Sequence, residues 1–151
     1  MHRKLTDYEV IAQKSILVAD DRECIRGVLR RLLSARKDWR ICAEVEDGLA
    51  AVEKAKALSP DIAILDISMP RMDGFEAARQ ISCACHSTMV LSISLYDPKN
   101  IIDKLIMSGV RGFVAKMSMY SHLIPAIDAL LSGKTYFNLE DPLEETPPLF
   151  I

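Results

Sequence analysis

Residues 61–74 read DIAILDISMPRMDG, an apolar run followed by a carboxylate and then a loop. The short run 62–65 is typical of a strand buried on both faces, and Asp66 ends it. Pro70 stiffens the loop, and Gly74 leads into the next periodic segment. An aspartate at the end of a buried strand either caps a turn or is placed for chemistry. The segments on either side are therefore needed to decide between these two interpretations.

The composition limits the classes of protein that this chain can represent. Its 151 residues suit one domain, and 50% hydrophobic and 26% charged residues are typical of a globular protein. A formal net charge of −2 argues against electrostatic binding of nucleic acid by the whole chain. No apolar run approaches the ~20 residues that span a bilayer, and the N-terminus lacks the apolar segment of a signal peptide. We therefore expect a cytoplasmic protein with no membrane partner, and its cysteines as reduced thiols.

Strand-like and helix-like segments alternate along the chain. The predicted strands are 15–19, 39–45, 61–66, 88–94 and 112–116. Helical spacing of apolar residues, or a helix start and stop signal, falls in 25–33, 48–58, 75–81, 101–106 and 123–131. Strands that are apolar on both faces and alternate with helices predict a parallel sheet covered by helices on both sides. The second strand alternates in polarity, which favours a place at the sheet edge.

Polar side chains follow the predicted strands at their carboxyl ends. Asp20 and Asp21 follow the first strand, Asp66 ends the third, Ser94 ends the fourth and Lys116 ends the fifth. The functional crevice of an open parallel sheet lies at this edge. Two carboxylates 4 Å apart repel by about 4 kcal/mol at an effective dielectric of 20, so we expect a cation among them, and Mg²⁺ prefers such oxygen ligands. With the hydroxyl and the lysine added, the edge could receive a phosphoryl group.

Four motifs together resemble a known family. They are VADD (18–21), ILDISMPRMDGFEAA (64–78), LSIS (91–94) and SGVRGFVAK (108–116). In order and spacing they resemble the receiver domain of two-component response regulators, most closely the NarL/FixJ (LuxR-type) subfamily of transcriptional regulators. The resemblance implies a flavodoxin-like (βα)5 fold, a doubly wound parallel sheet of five strands in the order 2-1-3-4-5.

The resemblance also implies roles for the residues at the sheet edge. Asp66 would be the aspartate that is phosphorylated by a sensor histidine kinase. Asp20 and Asp21 would bind Mg²⁺ together with Asp66 and the backbone carbonyl of Ser68. Lys116 would pair with the phosphoryl oxygens. Such a domain is a phospho-acceptor rather than an enzyme, and its phosphoryl transfer and autodephosphorylation are self-catalysed.

Two further residues would carry the signal out of this site. Ser94 stands where the family has a threonine or serine, and Phe113 stands where it has the switch aromatic. The predicted organisation is an N-terminal extension (1–13), the receiver domain (14–137) and an acidic, proline-rich linker or tail (138–151). In the subfamily such a linker leads to a DNA-binding domain, so contact with DNA would need an output domain absent from this chain. A homodimer is a further possibility.

Other interpretations of these residues remain open at this stage. Asp20 and Asp21 are also suitable helix N-caps, Asp66 a turn residue, and Lys116 a solvated lysine. Pro125 lies within the last predicted helix, where it must occupy the first turn or disturb the helix.

Other functions are also compatible with parts of the pattern. Cys83, Cys85 and His86 include metal-binding residue types, but no second pair accompanies them, so we favour ordinary roles. A single-domain regulator or a pseudo-receiver, a binding module without phosphorylation, is the main alternative function. A phosphatase of the haloacid dehalogenase type is less favoured, because position 68 is a serine where that class has its second aspartate.

Overall fold

The computed structural model describes residues 12–138, so the predicted N-terminal extension and tail lie outside it apart from residues 12, 13 and 138. The strands are β1 (Lys14–Ala19), β2 (Trp39–Val45), β3 (Ile62–Asp66), β4 (Met89–Ser94), β5 (Val110–Ala115) and β6 (Tyr136–Phe137). The α-helices are α1 (Glu23–Leu33), α2 (Gly48–Leu58), α3 (Gly74–Ala84), α4 (Ile102–Met107) and α5 (Met119–Leu131). No helix among these residues has the length and apolar character needed to cross a bilayer.

The strands form one parallel sheet in the order β2-β1-β3-β4-β5-β6. The α/β architecture, the parallel pairing and the edge position of β2 are as predicted. The predicted count of five strands is wrong in detail, because Tyr136 and Phe137 add a sixth strand beside β5. A strand of two residues is too short for alternating polarity to reveal it, so only its tertiary pairing identifies it.

Two apolar cores lie on opposite faces of the sheet. On one face α2, α3 and α4 contribute small or medium side chains such as Ala51, Ala77 and Leu105. On the other face α1 and α5 contribute larger ones, including Leu29 and Leu123. Strands β1, β3 and β4 lie between the two cores, which explains why most of their residues are apolar.

The fourth and fifth helices depart from the sequence prediction. A 3₁₀ turn, Pro98–Asn100, precedes α4, which has six residues and only one fully buried side chain, Leu105. The apolar spacing predicts that Ile106 faces the core, whereas in the structure this residue is 53% exposed. Pro125 lies beyond the first turn of α5, yet the helix continues to Leu131. Pro125 is exposed, so water can satisfy the carbonyl group whose helical hydrogen bond it removes.

Candidate functional site

Parallel pairing brings the predicted site residues to one edge of the sheet. Asp20 follows β1, Asp66 ends β3 and Lys116 follows β5. The register of β1 with β3 places the ends of these strands side by side. Carboxylate oxygens of Asp20, Asp21 and Asp66 all lie within 4.8 Å of one another. Independent caps on separate helices would not need to converge in this way.

Lys116 bridges two of the carboxylates. Its Nζ lies 2.9 Å from Asp20 Oδ2 and 3.2 Å from Asp66 Oδ1, and all three side chains are almost fully buried. The contact with Asp20 Oδ2 is an ion pair without good hydrogen-bond geometry, so this buried oxygen has no hydrogen-bond donor. A buried polar atom without a donor is costly and suits an additional ligand. The lysine therefore offsets only part of the negative charge.

The carboxyl group of Asp66 has a raised pKa. Burial is the largest cause and the negative charge of Asp20 adds to it, while Lys116 and the backbone N–H of Ser68 act in the opposite direction. That N–H donates to Oδ1 at 3.3 Å, the same oxygen that Lys116 approaches. Oδ2 accepts no hydrogen bond from the described residues.

The donor set fits a hard divalent cation. Asp20 is buried and Asp21 is exposed, so the three-carboxylate cluster reaches from the protein interior to solvent. Within residues 12–138, Asp20, Asp21 and Asp66 are the one group of three or more metal-binding side chains close enough to share an ion. Carboxylate oxygens with access to water are the ligands that Mg²⁺ takes.

The cysteine and histidine motif does not form a comparable site. Cys83 and His86 are exposed, whereas Cys85, at the C-terminal end of α3, is buried in the core. All four cysteines, including Cys24 and Cys42, are free thiols.

Two glycines allow close packing around the loop that connects Asp66 to α3. A Cβ atom at Gly74 would collide with the backbone carbonyl of Asp66, and one at Gly48 would collide with that of Met72. Asp73 caps α3, since its side chain accepts a hydrogen bond from Glu76 N at 2.9 Å. The loop is thus packed between two helix N-termini, and its backbone beside Asp66 has little freedom to shift.

Ser94 and Phe113 lie together beside this site. Ser94 is 2% exposed, and its Oγ accepts a hydrogen bond from Tyr96 N at 2.9 Å. Phe113 is 3% exposed, so its ring is already buried in this arrangement. Both side chains line a cavity of about 350 Å³ between β4, β5 and α5.

Sequence reasoning missed three residues around this region. The hydroxyl of Ser68 donates to that of Tyr96 across the mouth of the site, at a long 3.4 Å. His122 and Tyr136 line the same cavity as Ser94. Tyr96 lies two residues after Ser94, which was its only sequence signal. His122 and Tyr136 had none, because the position of Tyr136 depends on the sixth strand.

Comparison with known proteins decides the family. A profile of the response regulator receiver domain matches residues 16–128. The chain belongs to this family. Receiver domains of response regulators are signalling domains, and the family and subfamily predicted from the motifs are confirmed.

Individual relatives and solved structures agree with this assignment. The transcriptional regulatory protein YxjL of Bacillus subtilis is 30% identical over 122 residues, which cover 81% of this chain and 56% of that protein. The oxygen regulatory protein NreC of Staphylococcus epidermidis is 30% identical over 126 residues, or 83% of this chain and 58% of that protein. A LuxR-family response regulator from Aurantimonas has a TM-score of 0.80 at 26% identity, covering 91% of this chain and 99% of that one. The chain thus spans little more than half the length of the curated relatives.

Proposed function

We propose that this protein is a phosphorylation-controlled switch that accepts a phosphoryl group on Asp66. The observation that carries the proposal is the buried Asp66 carboxyl group, which lies beside two further carboxylates and a bridging lysine. Its Oδ2, which accepts no hydrogen bond from the described residues, would attack phosphorus, forming a P–O bond. The P–N bond of a histidine kinase phosphohistidine would break, and its electron pair would stay on the imidazole.

Mg²⁺ fits this proposal because it would neutralise phosphoryl oxygens next to three carboxylates. Asp20, Asp21, Asp66 and the backbone carbonyl of Ser68 would hold it. Lys116 already lies 3.2 Å from Asp66, so its ammonium group can pair with a phosphoryl oxygen after a small movement. Attack by water on phosphorus would then break the bond to the Asp66 oxygen, release inorganic phosphate and return the carboxylate. Both steps are proposed to be self-catalysed, because the groups that would stabilise the phosphoryl oxygens belong to this site.

Ser94 and Phe113 are the proposed switch. A phosphoryl group adds a charge of about −1.5 to −2 and three strong acceptor oxygens. The hydroxyl of Ser94 would turn from Tyr96 N towards one of these oxygens, and Phe113 would adjust beside it. A population shift from 1:99 to 99:1 would need ~5.5 kcal/mol of preference for one arrangement.

The output is proposed from the relatives. YxjL and NreC are regulatory proteins of which this chain matches little more than half. We infer a cytoplasmic receiver domain (14–137) with an extension (1–13) and a linker (138–151). It would control a DNA-binding output domain or a protein partner, with a homodimer as one possible state.

Phosphorylation with a small donor tests the proposal directly. Acetyl phosphate with Mg²⁺ should add one phosphoryl group, detected by mass, and Asp66→Asn should abolish the addition. Glu53→Gln, an exposed change on α2, is the matched control and should be labelled like the wild type. Labelling that persists in Asp66→Asn would contradict the assignment of the acceptor. A wild type that takes no phosphoryl group would instead favour the pseudo-receiver.

A further inference from the structure

The sixth strand connects the chain that leaves the domain with the proposed switch. β6 pairs in parallel with β5, Tyr136 opposite Gly112 and Phe137 opposite Phe113. The second residue of β6 is therefore the direct neighbour of the switch aromatic. A strand of two residues makes few hydrogen bonds, so its pairing contributes little free energy and can be reversed.

The two side chains of β6 contact opposite faces of the sheet. Phe137 packs against the core cluster that contains Phe113. Tyr136 packs against the other cluster, and its hydroxyl shares a hydrogen bond of 2.6 Å with Nδ1 of His122 on α5. Successive residues of a strand alternate in this way. Each face of β6 thus has one specific anchor.

One of the two anchors shares a cavity with the switch. The residues that line the 350 Å³ cavity include Ser94 and Phe113 of the switch together with Tyr136 and its partner His122. Asn138, the last described residue, lines it as well. A change in the positions of Ser94 and Phe113 therefore changes the surface on which β6 and the start of the following segment rest.

We propose that β6 is a latch that loosens when Asp66 is phosphorylated, an inference that rests on the proposed function. In this structure the contacts of Tyr136 and Phe137 occur together with the hydrogen bond from Tyr96 N to Ser94, and in the proposed latch they favour that arrangement. An arrangement in which Ser94 turns towards a phosphoryl group loses part of these contacts. Release would uncover the edge of β5 and free Asn138, the first residue of the proposed linker. The signal would thus reach the following segment through the chain itself.

Amide hydrogen exchange tests the coupling in one direction. Beryllofluoride with Mg²⁺ serves as the probe for the phosphorylated state, and its binding is followed by chemical shifts around Asp66. The amides of 136–138 should exchange several-fold faster in the complex, while those of buried β3 should not. Unchanged exchange at 136–138 in a protein that binds beryllofluoride would overturn the latch and leave the proposed function intact. Absence of beryllofluoride binding would contradict the proposed function itself.

The affinity for beryllofluoride tests the coupling in the other direction, because linkage between two sites is reciprocal. Tyr136→Phe keeps the ring and the strand pairing but removes the hydrogen bond to His122. It should speed exchange at 136–138 in the free protein and tighten beryllofluoride binding by up to about fivefold, the factor equivalent to ~1 kcal/mol for one hydrogen bond. Tyr120→Phe, an exposed change on α5, the helix that contains His122, is the control and should alter neither the exchange rate nor the affinity. Equal or weaker affinity in Tyr136→Phe would overturn the latch.

Discussion

At the scale of single residues, the site is a place where function works against stability. Burial and the nearby charge of Asp20 disfavour the ionised form of Asp66, and Lys116 offsets them only in part. A buried apolar or neutral polar side chain would fit this position at lower cost. A raised pKa beside a specific cation and a second carboxylate is a frequent mark of a functional group.

The raised pKa of Asp66 predicts a pH-dependent gain of stability in Asp66→Asn. In the unfolded chain the carboxyl group ionises near its ordinary pKa of 3.8, whereas in the folded protein it ionises at higher pH. Between these two pKa values the folded state binds more protons, so the contribution of Asp66 to stability falls as pH rises through this window. Above the folded pKa the cost is complete.

Asp66→Asn should therefore have a higher Tm than the wild type at pH 7 in the presence of a chelator. A change of 1 kcal/mol corresponds to a Tm shift of roughly 2–8 °C. The difference should shrink as the pH is lowered towards the ordinary pKa of aspartate. Thermal unfolding at a series of pH values measures it, and a variant that is less stable at pH 7 would contradict the interpretation.

At the scale of elements, Asp47 fixes both the start of α2 and the loop next to the site. Its Oδ1 accepts a hydrogen bond from Ala50 N at 2.8 Å, and its Oδ2 pairs with Arg71 at 3.2 Å. Arg71 has a φ of 68°, a left-handed backbone that is uncommon for a residue other than glycine. The side chain of Arg71 is 60% exposed, so water screens its pairing with Asp47, and the cap is expected to dominate the energy.

Two substitutions at Asp47 separate the cap from the ion pair. Asp47→Ala removes both and should cost about 1 kcal/mol in the free energy of unfolding, the usual value of an N-cap. Asp47→Asn keeps an acceptor for Ala50 N and should cost only a few tenths of a kcal/mol, roughly the value of an ion pair with one exposed partner. Urea unfolding measures both variants. Equal losses would show that the charge, and not the cap, stabilises this end of α2.

The elements that the sequence predicts well are those with a simple periodic cause. Buried parallel strands such as β3 are apolar up to the aspartate that ends the strand, and Gly48 and Pro60 mark the limits of α2. The convergence of Asp20, Asp66 and Lys116 follows from parallel strand ends alone. What the sequence does not contain is the direction of a side chain or the pairing of a very short strand. The lysine bridge, the Tyr96 contacts and β6 depend on such tertiary detail.

At the scale of the whole molecule, the acidic edge links ion binding to folding. The two cores contain almost all large apolar side chains of the sheet, whereas the site places three carboxylates close together with one lysine that contacts two of them. A cation that binds the folded edge and not the unfolded chain adds stability in proportion to its occupancy. Stability should therefore report on ion binding without any phosphoryl donor.

Mg²⁺ should raise the Tm of the wild type in a saturable way. At 100 times its Kd a ligand stabilises by ~2.7 kcal/mol, which corresponds to a Tm increase on the order of 10 °C for a domain of this size. Asp21→Asn changes an exposed carboxylate, so it should leave the fold intact and reduce the increase at a given Mg²⁺ concentration. Glu53→Gln removes a similar charge from a helix surface away from the cluster and should respond like the wild type.

Sodium chloride of equal ionic strength screens charge repulsion without coordinating oxygen. If it raises the Tm as much as Mg²⁺ does, or if Asp21→Asn keeps the full increase, the stabilisation comes from screening and the carboxylate cluster does not hold a specific ion.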